Sequence, residues 1–481
     1  MRHPRYLSRC RPVEQQATPP LLDQPGTSLV PKSGVIWREL NSVLTPEFLP
    51  HQVIPGDVDA RNDTLLVTAN LAFYPKKRFL NFESIASLIL HQFVNTIRTS
   101  SLFQRYGLVR MLIWTRSDDT LSFLPKTIQR RKRQALENDL LCEWIREVCG
   151  DETASGSWFA REDAINHASL ATTIKKMRAA KLELPAGREP KDFLETLAAV
   201  KARKRILEPG KHAPTFKRPY QDVLASLYTA DTEQGGLDKD SDDFKTMNIY
   251  RWRTTSDIKT ASRLLQHSQH LDKIKALHKS KKTSAKRKAA AELKWETEMR
   301  EVSKVILDQF ITYKDNLHAF RQTPPLLEWD RRDYEPMTVQ AQEFFPNVHC
   351  SLLDIQPRAP HPLMRQMGPN SNRAADMFDL ILGSLTQQLT QPLGPNLDSL
   401  WPGAADFILP AMDKHPDVSR GGFLPNLSYA EPSPRLLSAR QLEQLLELWM
   451  EWPFRPEFNE LVGRTQDDLD DRFDDSQHIE I

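Results

Sequence analysis

The 481-residue chain is short of glycine, with 17 glycines against 34 prolines. No two glycines stand two positions apart, so the G-x-G-x-x-G fingerprint of dinucleotide-binding folds is absent. The phosphate-binding P-loop is absent as well, because Gly210-Lys211 is followed by His212 rather than by Ser or Thr. Both of these glycine-built nucleotide sites are therefore excluded.

Cysteine is also scarce, and the four cysteines form neither a C-x-x-C pair nor a ligand-like cluster: Cys10, Cys142, Cys149 and Cys350. That spacing does not fit a structural zinc site and is typical of reduced thiols in an intracellular protein. The H-E-x-x-H and G-x-S-x-G motifs are missing too. Since no apolar run reaches 18 residues, no membrane-spanning segment is predicted.

The net charge is only +2, but its distribution is uneven. Residues 1–11 carry four arginines and no acid, which is typical of a mitochondrial transit peptide. A disordered or mis-assigned start is the alternative interpretation of residues 1–20. Six aspartates between residues 466 and 481 predict a disordered acidic tail.

Strand and helix patterns alternate in the first third of the chain and predict an α/β domain. A short strand and turn are expected over 28–40. The β-branched run 64–69 predicts a buried parallel strand, and apolar residues at helical spacing predict a helix over 82–98. Residues 108–114 predict the next strand, so the three elements form one βαβ unit with a parallel sheet.

Later segments are mostly helical in pattern. Residues 125–149 predict a helix, because four apolar residues recur at intervals of four: Leu136, Leu140, Trp144 and Val148. A stripe of aromatic and aliphatic residues predicts a long helix over 290–321 that Pro324-Pro325 stops. A further strand is expected at 348–355, and helices at 373–391 and 436–451. Polar residues 151–245 predict a surface insertion with short helices and a disordered stretch near 230–243.

The best candidate for chemistry is the tetrad Asn70-Leu71-Ala72-Phe73, directly after the strand 64–69. Ligands of parallel sheets bind beyond the carboxyl ends of the strands. An Asn there can accept hydrogen bonds from an exocyclic amine, and Phe73 can stack on a base. A plain Asn-led turn after a strand is the alternative.

Basic residues near this tetrad and further along the chain predict contacts with nucleic-acid phosphates. The candidates are Lys76, Lys77, Arg78, Lys126, Arg130, Arg131 and Arg133. A second basic block spans 279–288, and Tyr106 is a candidate for stacking on a base. Solvated helix faces are the alternative explanation of the charge runs.

The stretch Leu66–Phe73 resembles the substrate-amine motif of the rRNA adenine N6-dimethyltransferases: Asn, Leu or Ile, Pro, then Tyr or Phe at a strand end. Tyr106–Leu112 resembles the next strand of that family. Glu343–Pro357 resembles the strand pair that closes its methyltransferase domain. The chain is most similar to a branch of the family, the fungal mitochondrial transcription factors, through four segments: Leu21–Gly26, Val30–Trp37, Arg61–Asn70 and Arg98–Phe103.

The resemblance implies a Rossmann-like methyltransferase sheet and a small helical C-terminal domain. The expected divisions are a methyltransferase-like domain over 21–150 and 246–357, the polar insertion 151–245, and a helical domain over 358–465. It also implies a protein of the mitochondrial matrix that assists a single-subunit RNA polymerase in recognising and melting promoter DNA, with no membrane partner.

The alternative that the resemblance implies is an S-adenosylmethionine-dependent rRNA adenine N6-dimethyltransferase. Asn70 would then bind the adenine amine and the cofactor, the Leu71 carbonyl would accept the other amine hydrogen, and Phe73 would stack on the base. The chain departs from that pattern, because it has no G-x-G loop for the methyl donor and Ala72 replaces the usual Pro. Loss of the first strand from the start of the sequence is a third interpretation, compatible with either function.

Overall fold

The computed structural model describes residues 27–74, 76–78, 82–151, 161–202, 207–216, 218–233, 236–412, 427 and 429–465. The predictions for residues 1–20 and for the acidic tail 466–481 lie outside these ranges.

A five-stranded mixed sheet forms the centre of the α/β fold. Its strands are β1 Arg61–Asn70, β2 Leu108–Arg116, β3 Cys142–Gly150, β4 Met337–Thr338 and β5 Cys350–Pro357. They lie in the order β1-β2-β5-β3-β4. The β1/β2 and β3/β4 pairs are parallel, whereas β5 is antiparallel to both of its neighbours. The α/β class is therefore confirmed, but the expectation of a parallel sheet is wrong because β5 runs in reverse.

Residues 458–465 are helical, and fifteen further α-helices accompany the sheet in the described residues. They are α1 Trp37–Val43, α2 Ile85–Thr99, α3 Ser117–Phe123, α4 Arg133–Leu141, α5 Asp163–Ala180, α6 Lys191–Lys201, α7 Tyr220–Glu233, α8 Asp242–Lys279, α9 Ala285–Arg300, α10 Lys304–Arg321, α11 Glu328–Arg331, α12 Ala374–Leu385, α13 Leu393–Leu400, α14 Ala404–Ala411 and α15 Ala439–Glu451. Short turns of 3₁₀-helix join several of them.

The strand β1 lies where the sequence predicts it, but it is an edge strand rather than a buried one. Its residues alternate between exposed and half-buried, and none is fully buried. Among the described residues β2 is its only neighbour in the sheet. One face of β1 is therefore open to solvent, whereas a strand in a parallel sheet covered on both faces would be buried on both.

The predicted helix over 82–98 is confirmed as α2. Ser84 caps it, since its hydroxyl accepts a hydrogen bond from the Ser87 N–H at 2.9 Å and donates one to Asp119 at 2.7 Å. The apolar face of α2 packs against the sheet through residues that include Phe93 and Ile97. Its position completes the predicted βαβ unit.

Two predictions near the sheet are wrong. Residues 28–40 form turns followed by α1, and no strand, because Glu39 accepts the Ser33 N–H at 2.6 Å and holds the chain in a turn. The predicted helix over 125–149 ends at Leu141, and β3 follows at once. A spacing of four residues equals two strand periods, so the same apolar pattern fits a strand.

A second hydrophobic core lies around Trp295, Phe310 and Tyr313 and is formed mainly by α5, α8, α9 and α10. The helix predicted over 290–321 is divided into α9 and α10, and it ends before Pro324 as expected. The predicted boundary at 245 falls inside α8, a helix of 38 residues. Ile165 and Phe216 lie in the predicted polar insertion. They therefore share one core with residues that the sequence assigns to the α/β domain.

The C-terminal helices pack on the sheet and not apart from it. α12 and α15 coincide with the helices predicted over 373–391 and 436–451. Trp449 of α15 and Phe378 of α12 belong to the same buried cluster as Met111 of β2. Within the described chain no helix is long and apolar enough to cross a membrane.

Candidate nucleic-acid interface

Asn70 is the last residue of β1 and lies opposite Trp114 of β2. Its side-chain Oδ1 accepts the Ala72 N–H at 3.0 Å, and the Leu71 carbonyl accepts the Tyr74 N–H at 3.2 Å. These bonds close a tight turn, which we call the Asn70 turn (residues 70–74). The sequence interpretation of an Asn-led turn after a strand therefore describes the local conformation.

Phe73 is 56% exposed at the tip of the Asn70 turn. Its ring stacks on Tyr74 with centroids 4.5 Å apart and planes 26° apart. Burial raises the pKa of the Tyr74 hydroxyl, so this ring stays neutral at physiological pH. Arg116 fixes the turn from β2, since its Nε donates to the Ala72 carbonyl at 3.1 Å. The Asn70 turn thus presents the Phe73 ring to solvent, while Tyr74 and Arg116 hold the turn in place.

The basic triplet after the turn is exposed in all three positions, Lys76, Lys77 and Arg78. The Lys76 Nζ lies 2.5 Å from the Asp118 carboxylate, and that bond raises the pKa of Lys76. Asp118 therefore offsets part of the positive charge. Lys77 and Arg78 remain as a small basic surface that follows Phe73 along the chain.

Tyr106 is not available for base stacking, because it is only 4% exposed. Its hydroxyl donates to the Leu44 carbonyl at 3.0 Å and accepts from Arg105 at 3.1 Å. The predicted stacking of Tyr106 on a base is therefore wrong, because the ring is buried. The ring fills the space between α1 and the sheet, where it contributes to the core.

The predicted basic block 126–133 is directed largely into the protein. Arg131 is 1% exposed and donates to the carbonyls of Arg435 and Leu437 and to Asp139. Lys126 lies 2.9 Å from Glu147 and 4.1 Å from the centroid of the Trp329 ring. Both cations hold internal elements together, and Arg131 is too deeply buried to reach phosphates in this conformation.

Three further cations belong to that block. Lys132 is exposed, whereas Arg130 and Arg133 are partly exposed and have acidic neighbours. The Arg133 Nε donates to Glu137 at 2.7 Å, one helical turn further along α4. An Arg130 Nη lies 3.9 Å from Glu83. The structure therefore does not unite the seven predicted basic residues into one surface.

A larger basic surface lies on α8 and α9, which form an antiparallel helical hairpin. Residues 245–294, here called the basic hairpin, contain 14 Lys or Arg against three Asp or Glu. Twelve of these cations are exposed: Lys245, Arg251, Arg253, Lys259, Arg263, Lys273, Lys279, Lys281, Lys282, Lys286, Arg287 and Lys294. The sequence block 279–288 is the tip of this hairpin.

Each acid of the basic hairpin is paired with a neighbouring group. Asp257 lies 3.2 Å from Arg218, Asp272 lies 3.2 Å from Arg321, and Glu292 lies 2.5 Å from His278. The acids are therefore half-buried against the helical core, while the cations point outward. The sequence prediction included only the tip of this surface, because it was based on short runs of charge. The whole surface becomes evident when the charge is summed over 50 residues.

No family model, curated protein or solved structure matches this chain. The likeness to the dimethyltransferase family therefore stays a prediction from the sequence. Within the described ranges no group of three or more His, Cys, Asp or Glu residues could hold a metal ion.

The described residues do not fit S-adenosylmethionine, the cofactor that the resemblance implies. Asn70 is the residue expected to touch it, and its Oδ1 already accepts the Ala72 N–H. The strand and Gly-rich loop that the resemblance implies for the methyl donor would precede β1 in the chain, and among the described residues no strand precedes β1. We therefore derive no reaction step through this cofactor.

Proposed function

We propose that this protein is a mitochondrial transcription initiation factor. It would bind nucleic acid and assist a single-subunit RNA polymerase at promoters in the mitochondrial matrix. Nucleic-acid binding is supported above all by the basic hairpin. Its role in transcription and its location rest on the likeness to the fungal mitochondrial transcription factors.

The charge of the basic hairpin is the central observation. A chain with a net charge of +2 carries a surplus of eleven positive charges within residues 245–294. Clustered cations on one face are the electrostatic footprint of a nucleic-acid-binding protein. They gain affinity by releasing the counterions condensed along the phosphate backbone. Because the three acids of this segment are paired inward, the outer face keeps its positive charge.

The order of the strands supports the predicted likeness of the fold. The resemblance predicts that the strand before Asn70 and the strand beginning at Leu108 are neighbours, and that a late strand closes the sheet. β1 and β2 pair in parallel, and β5 pairs with β2 on its other side. The Asn70 turn then lies at the carboxyl end of β1, where a parallel sheet binds its ligands.

The alternative function is rRNA adenine N6-dimethylation. The exposed Phe73 ring at a strand end favours it, since a flipped adenine could stack there. Calorimetry with S-adenosylmethionine separates the two functions. Micromolar binding would support the methyltransferase, whereas absence of heat at millimolar cofactor would leave the transcription factor.

The test of the preferred function uses the tip of the basic hairpin. Replacing Lys281, Lys282, Lys286 and Arg287 by Gln should lower promoter DNA affinity and reduce the slope of log K against log salt by about three to four. Run-off transcription with the cognate polymerase should fall in parallel. The matched control replaces four exposed cations elsewhere by Gln: Lys175, Arg178, Lys181 and Lys201.

Equal losses in the two quadruple variants would show that the tip has no special role. No binding of promoter DNA by the wild-type protein at moderate salt, with polymerase present, would refute the proposed function itself.

A further inference from the structure

An open groove of about 570 Å³ lies between the beginning of α7 and the first half of α8. Its lining is aromatic and cationic: Arg218, Pro219, Tyr220, Val223, Tyr250, Trp252, Arg253, Ser256 and Asp257. The groove is about 40 Å of helix away from the tip of the basic hairpin, since α8 rises about 1.5 Å per residue. Neither the sequence motifs nor the Asn70 turn includes any of these residues.

The floor of the groove is rigid. Tyr220 and Tyr250 stack with centroids 5.2 Å apart and planes 24° apart. The Tyr220 hydroxyl donates to Asp257 at 2.7 Å, and Arg218 donates to both oxygens of the same carboxylate at 3.2 and 3.3 Å. Asp257 therefore fixes a tyrosine and an arginine at once, and the aromatic faces are held in place before any ligand arrives.

The rim of the groove is exposed and carries a tryptophan. Trp252 is 71% exposed, and Ile249, one helical turn earlier, is exposed as well. Arg251 and Arg253 flank Trp252 along the chain, and the Arg253 guanidinium lies 5.6 Å from the centroid of the Tyr250 ring. A tryptophan left mostly in water forgoes much of the free energy that burial of its large apolar surface provides.

We propose that this groove binds single-stranded nucleic acid, with bases stacked on Trp252 and on the Tyr250 ring and the backbone contacting Arg253. Proteins that bind single strands combine stacking rings with a cationic track in this way. The inference rests on the proposed function and extends it, because it assigns the melted strand, and not the duplex, to this part of the molecule.

The charge of the lining favours a nucleic acid over a protein partner. An exposed Trp beside an arginine also has the composition of a protein-binding hot spot. Here, however, the lining carries two arginines, Arg218 and Arg253, against the single acid Asp257, which is neutralised by Arg218. A polyanion with planar bases fits both features, whereas a protein surface would need an unusually acidic patch.

The experiment compares Trp252→Ala with Trp252→Phe in the full chain. The probes are a fluorescent oligo(dT) of about 12 nucleotides and a duplex of equal length. We expect Trp252→Ala to weaken oligo(dT) binding by about fivefold or more, since the loss of one stacked base costs at least that much. Trp252→Phe, which keeps a ring, should stay within about threefold of the wild type, and duplex affinity should not change.

Leu293→Ala is the matched control, because Leu293 is an equally exposed apolar residue on α9. It should leave both affinities unchanged. Equal losses on duplex and single strand, or no loss on either, would overturn the inference. If Trp252→Ala kept its oligo(dT) affinity but no longer stimulated the polymerase, the groove would be a protein-docking surface and the inference would be wrong.

The two proposals can fail separately. Wild-type protein that binds oligo(dT) through Trp252 but never stimulates promoter-dependent transcription would refute the transcription role alone. A Trp252→Ala variant that still stimulates transcription would refute only the assignment of the groove.

Discussion

Arg110 and Asp354 join neighbouring strands of opposite direction through two parallel hydrogen bonds. The Arg110 Nε lies 2.6 Å from one carboxylate oxygen, and an Arg110 Nη lies 2.6 Å from the other. The Trp144 indole N–H on β3 lies 3.4 Å from the same carboxylate. One buried Asp on the reversed strand β5 therefore holds β2 and β3, its two neighbours, in register.

Replacing Asp354 by Asn should lower the free energy of unfolding by about 1–3 kcal/mol, because a bidentate ion pair becomes a single hydrogen bond from Arg110 to a neutral amide oxygen. The Arg110 guanidinium is half-exposed and can be hydrated, which limits the loss. Urea unfolding followed by circular dichroism measures the change. Asp63→Asn, in the exposed pair with Arg61, is the control and should cost less than about 0.5 kcal/mol.

Arg131→Met should destabilise the protein by about 3–5 kcal/mol, because it leaves Asp139 and two buried carbonyls without their partner. The same change at Arg133, which is largely exposed, should cost less than about 1 kcal/mol. Thermal unfolding of both variants provides the comparison. A normal melting temperature for Arg131→Met, together with weaker DNA binding, would restore the phosphate-contact role predicted from the sequence.

Glu162 should make stability depend on pH. Burial raises the pKa of this carboxyl from 4.5 to about 7, despite the hydrogen bond from the Gly210 N–H and the nearby Arg321 charge. The folded state therefore keeps a proton that the unfolded state loses. The stabilisation is complete below pH 4.5 and is lost as the pH rises through about 7.

The measurement is urea unfolding of the wild type and Glu162→Gln at several pH values between about 4.5 and 7.5. The variant cannot titrate, so its stability should fall less steeply across this interval. Since every other titrating group is shared, the difference between the two slopes reports Glu162 alone. Parallel slopes would show that the carboxyl is ionised at normal pH in the fold.

Tyr106→Phe should lower the free energy of unfolding by about 1 kcal/mol, the usual contribution of one hydrogen bond, because the hydroxyl no longer reaches the Leu44 carbonyl. DNA affinity should be unchanged, since the ring is buried. Urea unfolding and an oligonucleotide titration test the two statements. Reduced DNA affinity with intact stability would contradict them.

The elements that could be predicted from the sequence are those fixed by local pattern. The strand after Asp63, the helix α2 and the strand after Gly107 follow from β-branched runs and from apolar residues at helical spacing. The reversal of β5 could not be predicted, because strand direction depends on which neighbours meet in space. The same limit explains β1, whose residues are apolar enough for a buried strand yet lie at an edge.

The candidate site was predicted only in part, and charge explains why. A run such as Arg130-Arg131 shows how many cations are present but not where they point, and Arg131 is directed into the core. The position of Asn70 at a strand end, by contrast, follows from chain order alone and is confirmed. The groove at Trp252 depends on contacts between α7 and α8, which no spacing in the sequence reveals.

The exposed edge of β1 has a consequence for the behaviour of the protein in solution. In the part of the chain that the structure describes, β1 pairs with β2 alone, and near its beginning Asn62 Oδ1 accepts the Thr64 and Leu65 N–H groups. The rest of such an edge offers backbone N–H and C=O groups to which a strand of another molecule can add. Arg61 and Asp63 place charges at one end of this edge, while its other end, towards Ala69, has none. Concentrated samples should therefore associate edge to edge, and elution that shifts with concentration in size-exclusion chromatography would reveal it.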